Sequence, residues 1–167
     1  MSSVNYDPVK AHEYYMKHRQ LKGRHSTKGF SDTQKEQWAY AKEQLKEEHK
    51  ENNAAINENK KERLEAITEE VNDQKEALTD QAQSKIEGLR EKLKGMSKEQ
   101  KKEMRSQIQD AIKEIKSTLK TAKGSLGEAG AQAKALTKED AKAAKETEKA
   151  DYEKKLDEAH KHISGGK

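Results

Sequence analysis

Ser31-Asp32-Thr33-Gln34-Lys35-Glu36-Gln37-Trp38 opens the stretch that decides the fold. Ser31 and Gln34 make a capping box: the serine oxygen suits an amide near Gln34, and the glutamine side chain reaches back to the Ser31 amide. From Trp38 a stripe runs through Ala41, Leu45, His49, Asn52, Ile56, Lys60, Leu64, Ile67, Val71, Gln74, Leu78, Ala82, Ile86, Leu89, Leu93 and Met96. Sixteen steps cover 58 residues. That is about 3.6 residues per step, the period of a straight helix; a left-handed coiled coil needs about 3.5. Four members are polar, His49, Asn52, Lys60 and Gln74, so the seam is expected to be weakest between Leu45 and Leu64.

Lys94-Gly95-Met96-Ser97 breaks this helix, and Ser97 with Gln100 forms a second capping box. The next stripe, Met104, Ile108, Ile112, Ile115, Leu119, Ala122 and Leu126, is the most apolar in the chain. So short a connection favours an antiparallel hairpin, with 97–123 folded back on roughly 68–94. Gly124, Gly127 and Gly130 then read as a flexible linker over 124–136, and Thr137-Lys138-Glu139-Asp140 as a third cap. A last helix carries Ala141, Ala144, Tyr152, Leu156, Ala159 and Ile163, stops at Ser164-Gly165-Gly166, and is long enough to lie along 31–65.

Upstream, Asp7-Pro8 suits a helix start, and Lys22-Gly23 a stop after Ala11, Tyr14, Tyr15, His18 and Leu21. Residues 23–30 read as a basic loop. The expectation is therefore an all-α chain: an elongated helical hairpin or thin bundle, one long helix faced by two shorter ones, with a short N-terminal helix. Its divisions are 1–30, a basic, aromatic recognition segment; 31–123, the long hairpin; 124–136, the linker; and 137–167, the C-terminal helix. Seams this narrow bury little area, which favours marginal monomer stability or self-association.

Composition agrees. Of 167 residues 40% are charged and 30% hydrophobic, many of the latter alanine. That leaves too few large apolar side chains for an ordinary compact core. No stretch alternates in the manner of a strand. There is no cysteine, so disulfides and thiolate metal sites are excluded. No apolar run has membrane-spanning length, and residues 1–30 lack the apolar core of a signal peptide, so a soluble protein not secreted by that route is expected.

Recognition chemistry is concentrated at the N-terminus. Six of the seven aromatic residues are Tyr6, Tyr14, Tyr15, Phe30, Trp38 and Tyr40. Residues 1–30 carry four Lys and two Arg against Asp7 and Glu13, which equals the whole formal charge of +4. The candidate partner-binding residues are Tyr6, Lys10, Tyr14, Tyr15, Lys17, Arg19, Lys22, Arg24 and Lys28. The cations can neutralise phosphates or an acidic protein surface, and the tyrosines can fill a partner pocket or stack on bases. The plainer reading is that the tyrosines dock this helix on Trp38 and Tyr40 while the charges stay solvated. Docking and partner binding are compatible, because Tyr14 and Tyr15 point about 100° apart on a helix.

Other constellations carry less. His12 and His18 are six residues apart and face different ways, and with His25 they have no carboxylate or thiol to complete a metal set. His160 and His162 suit the negative end of the last helix. Gly124, Gly127 and Gly130 follow no strand and do not read as a phosphate loop. Glu and Lys along the body read as solvated faces with i,i+4 pairs. No nucleophile–base pairing stands out, so neither enzymatic activity nor a cofactor is expected.

The segment Tyr6-Asp7-Pro8-Val9-Lys10-Ala11-His12-Glu13-Tyr14-Tyr15, followed by Leu21-Lys22-Gly23-Arg24, resembles a motif of small Lys/Glu-rich proteins from tailed phages and prophages of Gram-positive bacteria. Those proteins are encoded among virion-assembly genes. The resemblance covers about the first 50 residues; beyond it the chain is similar in composition and in residues 85–96, Lys-Ile-Glu-Gly-Leu-Arg-Glu-Lys-Leu-Lys-Gly-Met. It implies a structural protein of the virion, present in the host cytoplasm during assembly, with a phage coat or portal protein as partner. A scaffolding or assembly chaperone is the second expectation, and a DNA-associated packaged protein the third. Homo-oligomerisation is compatible with each.

Overall fold

A computed structural model describes residues 25–165, together with Pro8 and Lys10, both helical and exposed. Among the described residues the long elements are two helices, α1 (Asp32–Lys94) and α2 (Lys98–Ile163).

Both expected capping boxes at their starts are formed. The Ser31 amide donates to Gln34 Oε1 at 2.8 Å, and the Gln34 amide to Ser31 Oγ at 3.1 Å. The Ser97 amide donates to Gln100 Oε1 at 3.4 Å, and the Gln100 amide to Ser97 Oγ at 3.3 Å. Between the helices, the Gly95 amide donates to Glu91 O and the Met96 amide to Leu93 O, each at 3.2 Å, so orphan carbonyls of the last turn of α1 are used before the chain reverses.

The helix count corrects the sequence expectation. Residues 124–136 are not a linker, and Thr137 is not a cap; both lie inside α2, which runs unbroken to Ile163. Gly130 is buried, and a Cβ built on it would lie 2.8 Å from Val71 Cγ2. Thr137 is 1% exposed and its hydroxyl donates to the Ala133 carbonyl one turn back at 2.9 Å. Glycine costs a helix about 1 kcal/mol relative to alanine. At residue 130 the close approach of the two helices requires it. One long helix is therefore faced by one other, not by two shorter ones.

The chain forms two compact units, one of Ile56–Ala143 and one comprising residues up to Ala55 together with Ala144–Lys167. In the Ile56–Ala143 unit the seam centres on Ala82, Ile86, Ile108, Thr137 and Ala141, all buried. Leu64, Ile67, Val71, Leu78, Leu89 and Leu93 are half-buried, as are Ile112, Ile115, Leu119, Ala122 and Leu126 of α2. The first stripe departs from expectation at one place: Gln74 is exposed and Lys75 takes its turn. Arg63 of α1 pairs with Asp140 of α2 at 3.5 Å.

In the other unit the seam is Trp38, 3% exposed, followed by half-buried Ala41, Leu45, His49 and Asn52. Its α2 side is Ala144, Glu148, Tyr152, Leu156, Ala159 and Ile163. Here much of the seam is polar, as the His49 and Asn52 positions foretold.

Candidate functional site: the 25–30 turn and its histidine–aromatic cluster

The chain enters the described region at His25 and makes a tight turn before α1. The Phe30 amide donates to Thr27 O at 3.0 Å, and Gly29, the third residue of that turn, has φ +85°. A positive φ there is what glycine supplies without steric cost. The Lys28 amide donates to Ser26 Oγ at 3.2 Å, which leaves the Lys28 side chain exposed on the turn.

This turn is fastened to the end of α2. His25 Nε2 lies 2.6 Å from Asp157 Oδ1. The His160 Nε2–H donates to the Ser26 carbonyl at 2.8 Å. Gln34, already part of the cap, donates from Nε2 to Ile163 O at 3.0 Å, satisfying one of the last free carbonyls of α2.

Rings fill the space between. His160 stacks on Phe30, with centroids 5.4 Å apart, and meets Trp38 edge-on at 5.2 Å. His25 lies 5.3 Å from Trp38 and 5.5 Å from His160, and Lys42 Nζ stands 5.6 Å over the Trp38 ring. The cluster is a clamp: it fixes where the N-terminal segment joins the helical pair.

A second polar layer lies further along the same unit. Glu148, its side chain 15% exposed, accepts from Asn52 Nδ2 at 3.0 Å and lies 3.3 Å from His49 Nδ1. Asn53 Nδ2 lies 3.2 Å from His49 Nε2, and the His49 ring stacks on Tyr152 at 4.3 Å. In this arrangement the carboxylate of Glu148 faces Nδ1 and the Asn53 amide faces Nε2, while Asn53 Oδ1 is buried without a hydrogen-bond partner among the described residues. On the exposed edge, Lys155 pairs with Glu48 at 2.5 Å and Asp151 at 3.3 Å. The Glu48 hydrogen bond first, then that of Asp151, raises the Lys155 ammonium above its usual 10.5.

Of the expected partner-binding residues, Lys10 is on an exposed helical position and Lys28 on the exposed turn. Tyr6, Tyr14, Tyr15, Lys17, Arg19, Lys22 and Arg24 lie outside the described residues. Of the two rings expected to receive the tyrosines, Trp38 is covered from the side by His25 and His160, whereas Tyr40 is 68% exposed. Sequence reading missed Asp157, Ser26 and Phe30 as partners of the histidines. The available signal was that Trp38 opens the first stripe and Ile163 closes the last one, which an antiparallel pairing brings to the same end.

Among the described residues no group of three or more His, Asp or Glu side chains is arranged to hold a metal ion, and no helix is long and apolar enough to cross a membrane. Comparison with protein-family models, curated proteins and solved structures gave no match to this chain.

Proposed function

We propose that this chain is a non-enzymatic structural protein of a phage particle. In this reading residues 6–30 dock on a coat or portal surface, and the helical pair serves as spacer or self-association arm. The observation that carries it is the partition of charge and aromatic rings. Residues 1–30 hold the full formal charge of +4, while residues 31–167 taken together balance at 29 basic against 29 acidic. The resemblance of 6–24 to virion-region proteins supports the choice of partner. The fastening of His25 and Ser26 to Asp157 and His160 supports the division of roles, since a docking segment needs a fixed root.

Mass spectrometry of purified particles tests the reading, with copy number measured against the major coat protein. A fixed copy number in mature particles supports it, and deletion of residues 1–30 is then expected to abolish incorporation. Presence only in empty precursors moves the chain to the scaffold class. Absence from both, or incorporation without residues 1–30, overturns the assignment.

A further inference from the structure

The surface of the Ile56–Ala143 unit carries two rows of like charge that share one spacing. On α1, Glu58, Glu62, Glu65, Asp73, Glu76 and Asp80 fall on one line, with Glu69 at its centre. On α2, Lys98, Lys102, Arg105, Lys113, Lys116 and Lys120 fall on another, with Gln109 at its centre. The steps are 4, 3, 4, 4, 3 and 4 in both, so every acidic position plus 40 gives its counterpart in the basic row. All fourteen side chains are exposed.

The rows cannot meet within one molecule. At 100° per residue the acidic row points about 180° away from the α1 seam, while the basic row stands about 100° from the α2 seam, on one flank. No ion pair joins either row to any described residue; the pairs that cross between the helices involve other side chains, such as Arg63 with Asp140. The basic flank is also more than a line of charges. Arg90 of α1 joins Arg105 and Lys113 around a hollow floored by Leu93, Ile108 and Ile112.

We propose that the Ile56–Ala143 units of separate copies associate side to side, the acidic row of α1 in one lying on the basic row of α2 in the next. The occupant of the basic flank is thus a second copy of this chain, chosen by charge complementarity and by a matching period that a generic polyanion lacks. The step sequence reads the same in both directions, so it fits whichever way the neighbour runs. Because different surfaces meet, each copy retains one unused row, and the contact repeats in a ring or an open series. The proposal names the surface for the self-association part of the reading above. It is tested on the purified chain without particles, so its failure leaves the particle assignment standing.

Sedimentation of the full chain is the experiment. At about 20 mM salt the mass is expected to exceed the 19.0 kDa monomer at least twofold, and to return to monomer at about 500 mM, where screening is strong. Reversing three acids (Glu65→Lys, Glu69→Lys, Asp73→Lys) or three bases (Arg105→Glu, Lys113→Glu, Lys116→Glu) is expected to leave a monomer at low salt. Circular dichroism checks that each variant keeps its helix. The neutral set Glu65→Gln, Glu69→Gln and Asp73→Asn serves if a reversal unfolds the chain. Mixing the two reversed chains is expected to restore association, since the acid-reversed chain keeps its basic row intact and the base-reversed chain keeps its acidic row intact. A monomer at low salt, association indifferent to either set, or no recovery on mixing overturns the proposal. So does loss of binding to duplex DNA in the base-reversed chain with self-association unchanged.

Discussion

Gly130 lies directly under Val71: a Cβ at residue 130 would come within 2.8 Å of Val71 Cγ2. Real side chains do not approach so closely, and the β-branched valine has little freedom to turn aside. At Gly124, by contrast, the same Cβ meets nothing.

Two alanine substitutions in one helix should therefore differ in sign. Gly124→Ala gains helix propensity and should stabilise the chain by about 0.5–1 kcal/mol. Gly130→Ala gains the same but is overpacked, at a cost of about 1–3 kcal/mol, so a net loss of about 1 kcal/mol is expected. Thermal unfolding of both, with Val71→Ala as the relieving partner of Gly130→Ala, measures it. Equal effects would contradict the close approach.

Thr137 separates a continuous helix from a helix start. At a cap, Thr137→Val would cost about 1 kcal/mol by losing the side-chain acceptor. Inside α2 its hydroxyl serves only the Ala133 carbonyl, which the helix already uses, and its methyl is buried. Thr137→Val should be neutral or stabilising in denaturant titration, and Thr137→Asp strongly destabilising because it buries a charge without a partner.

Trp38 anchors the unit that contains the clamp. It is 3% exposed and touches His25 and His160. Trp38→Ala should cost about 3–5 kcal/mol, as for other large buried aromatics. Cleavage by a protease after Lys28 should accelerate in this variant, since the turn loses the ring on which it rests. Unchanged cleavage would mean that the polar fastenings suffice.

Lys155 sets an alkaline dependence. Its pKa is raised in the folded chain by Glu48 and then Asp151, so the folded state holds its proton more tightly than the unfolded state. The contribution is present in full below the ordinary 10.5 and is lost as pH climbs through the raised value. The stability of Lys155→Met should fall less steeply than that of the parent over this range, with little difference near neutrality, where an exposed pair is weak. Parallel stability curves above 10.5 would count against the pairing.

The parts legible in advance were those written in local chemistry. The Ser31–Gln34 and Ser97–Gln100 boxes and the two stripes follow from neighbours a few residues apart. The same local logic failed at Gly124–Gly130 and at Thr137, where glycine spacing and a cap-like tetrad suit a linker and a helix start as well as a helix interior. What decides there is Val71, distant in sequence and packed against Gly130. The clamp was hidden for the same reason. His25 and Asp157 are 132 positions apart, and nothing near either histidine names its partner. Of the expected binding residues, only Lys10 and Lys28 fall among those the structure describes.

Gln34 bonds Ile163, and His160 bonds Ser26, so the start of α1 and the end of α2 are immediate neighbours. A molecule held by those two points is loaded across its seam, not along it. Within the unit that holds Trp38, tension then falls on one contact at a time, the Trp38 cluster first, instead of being shared in shear along that unit's seam. Tethered in this way, the seam of that unit opens from its clamped end, as a zipper does.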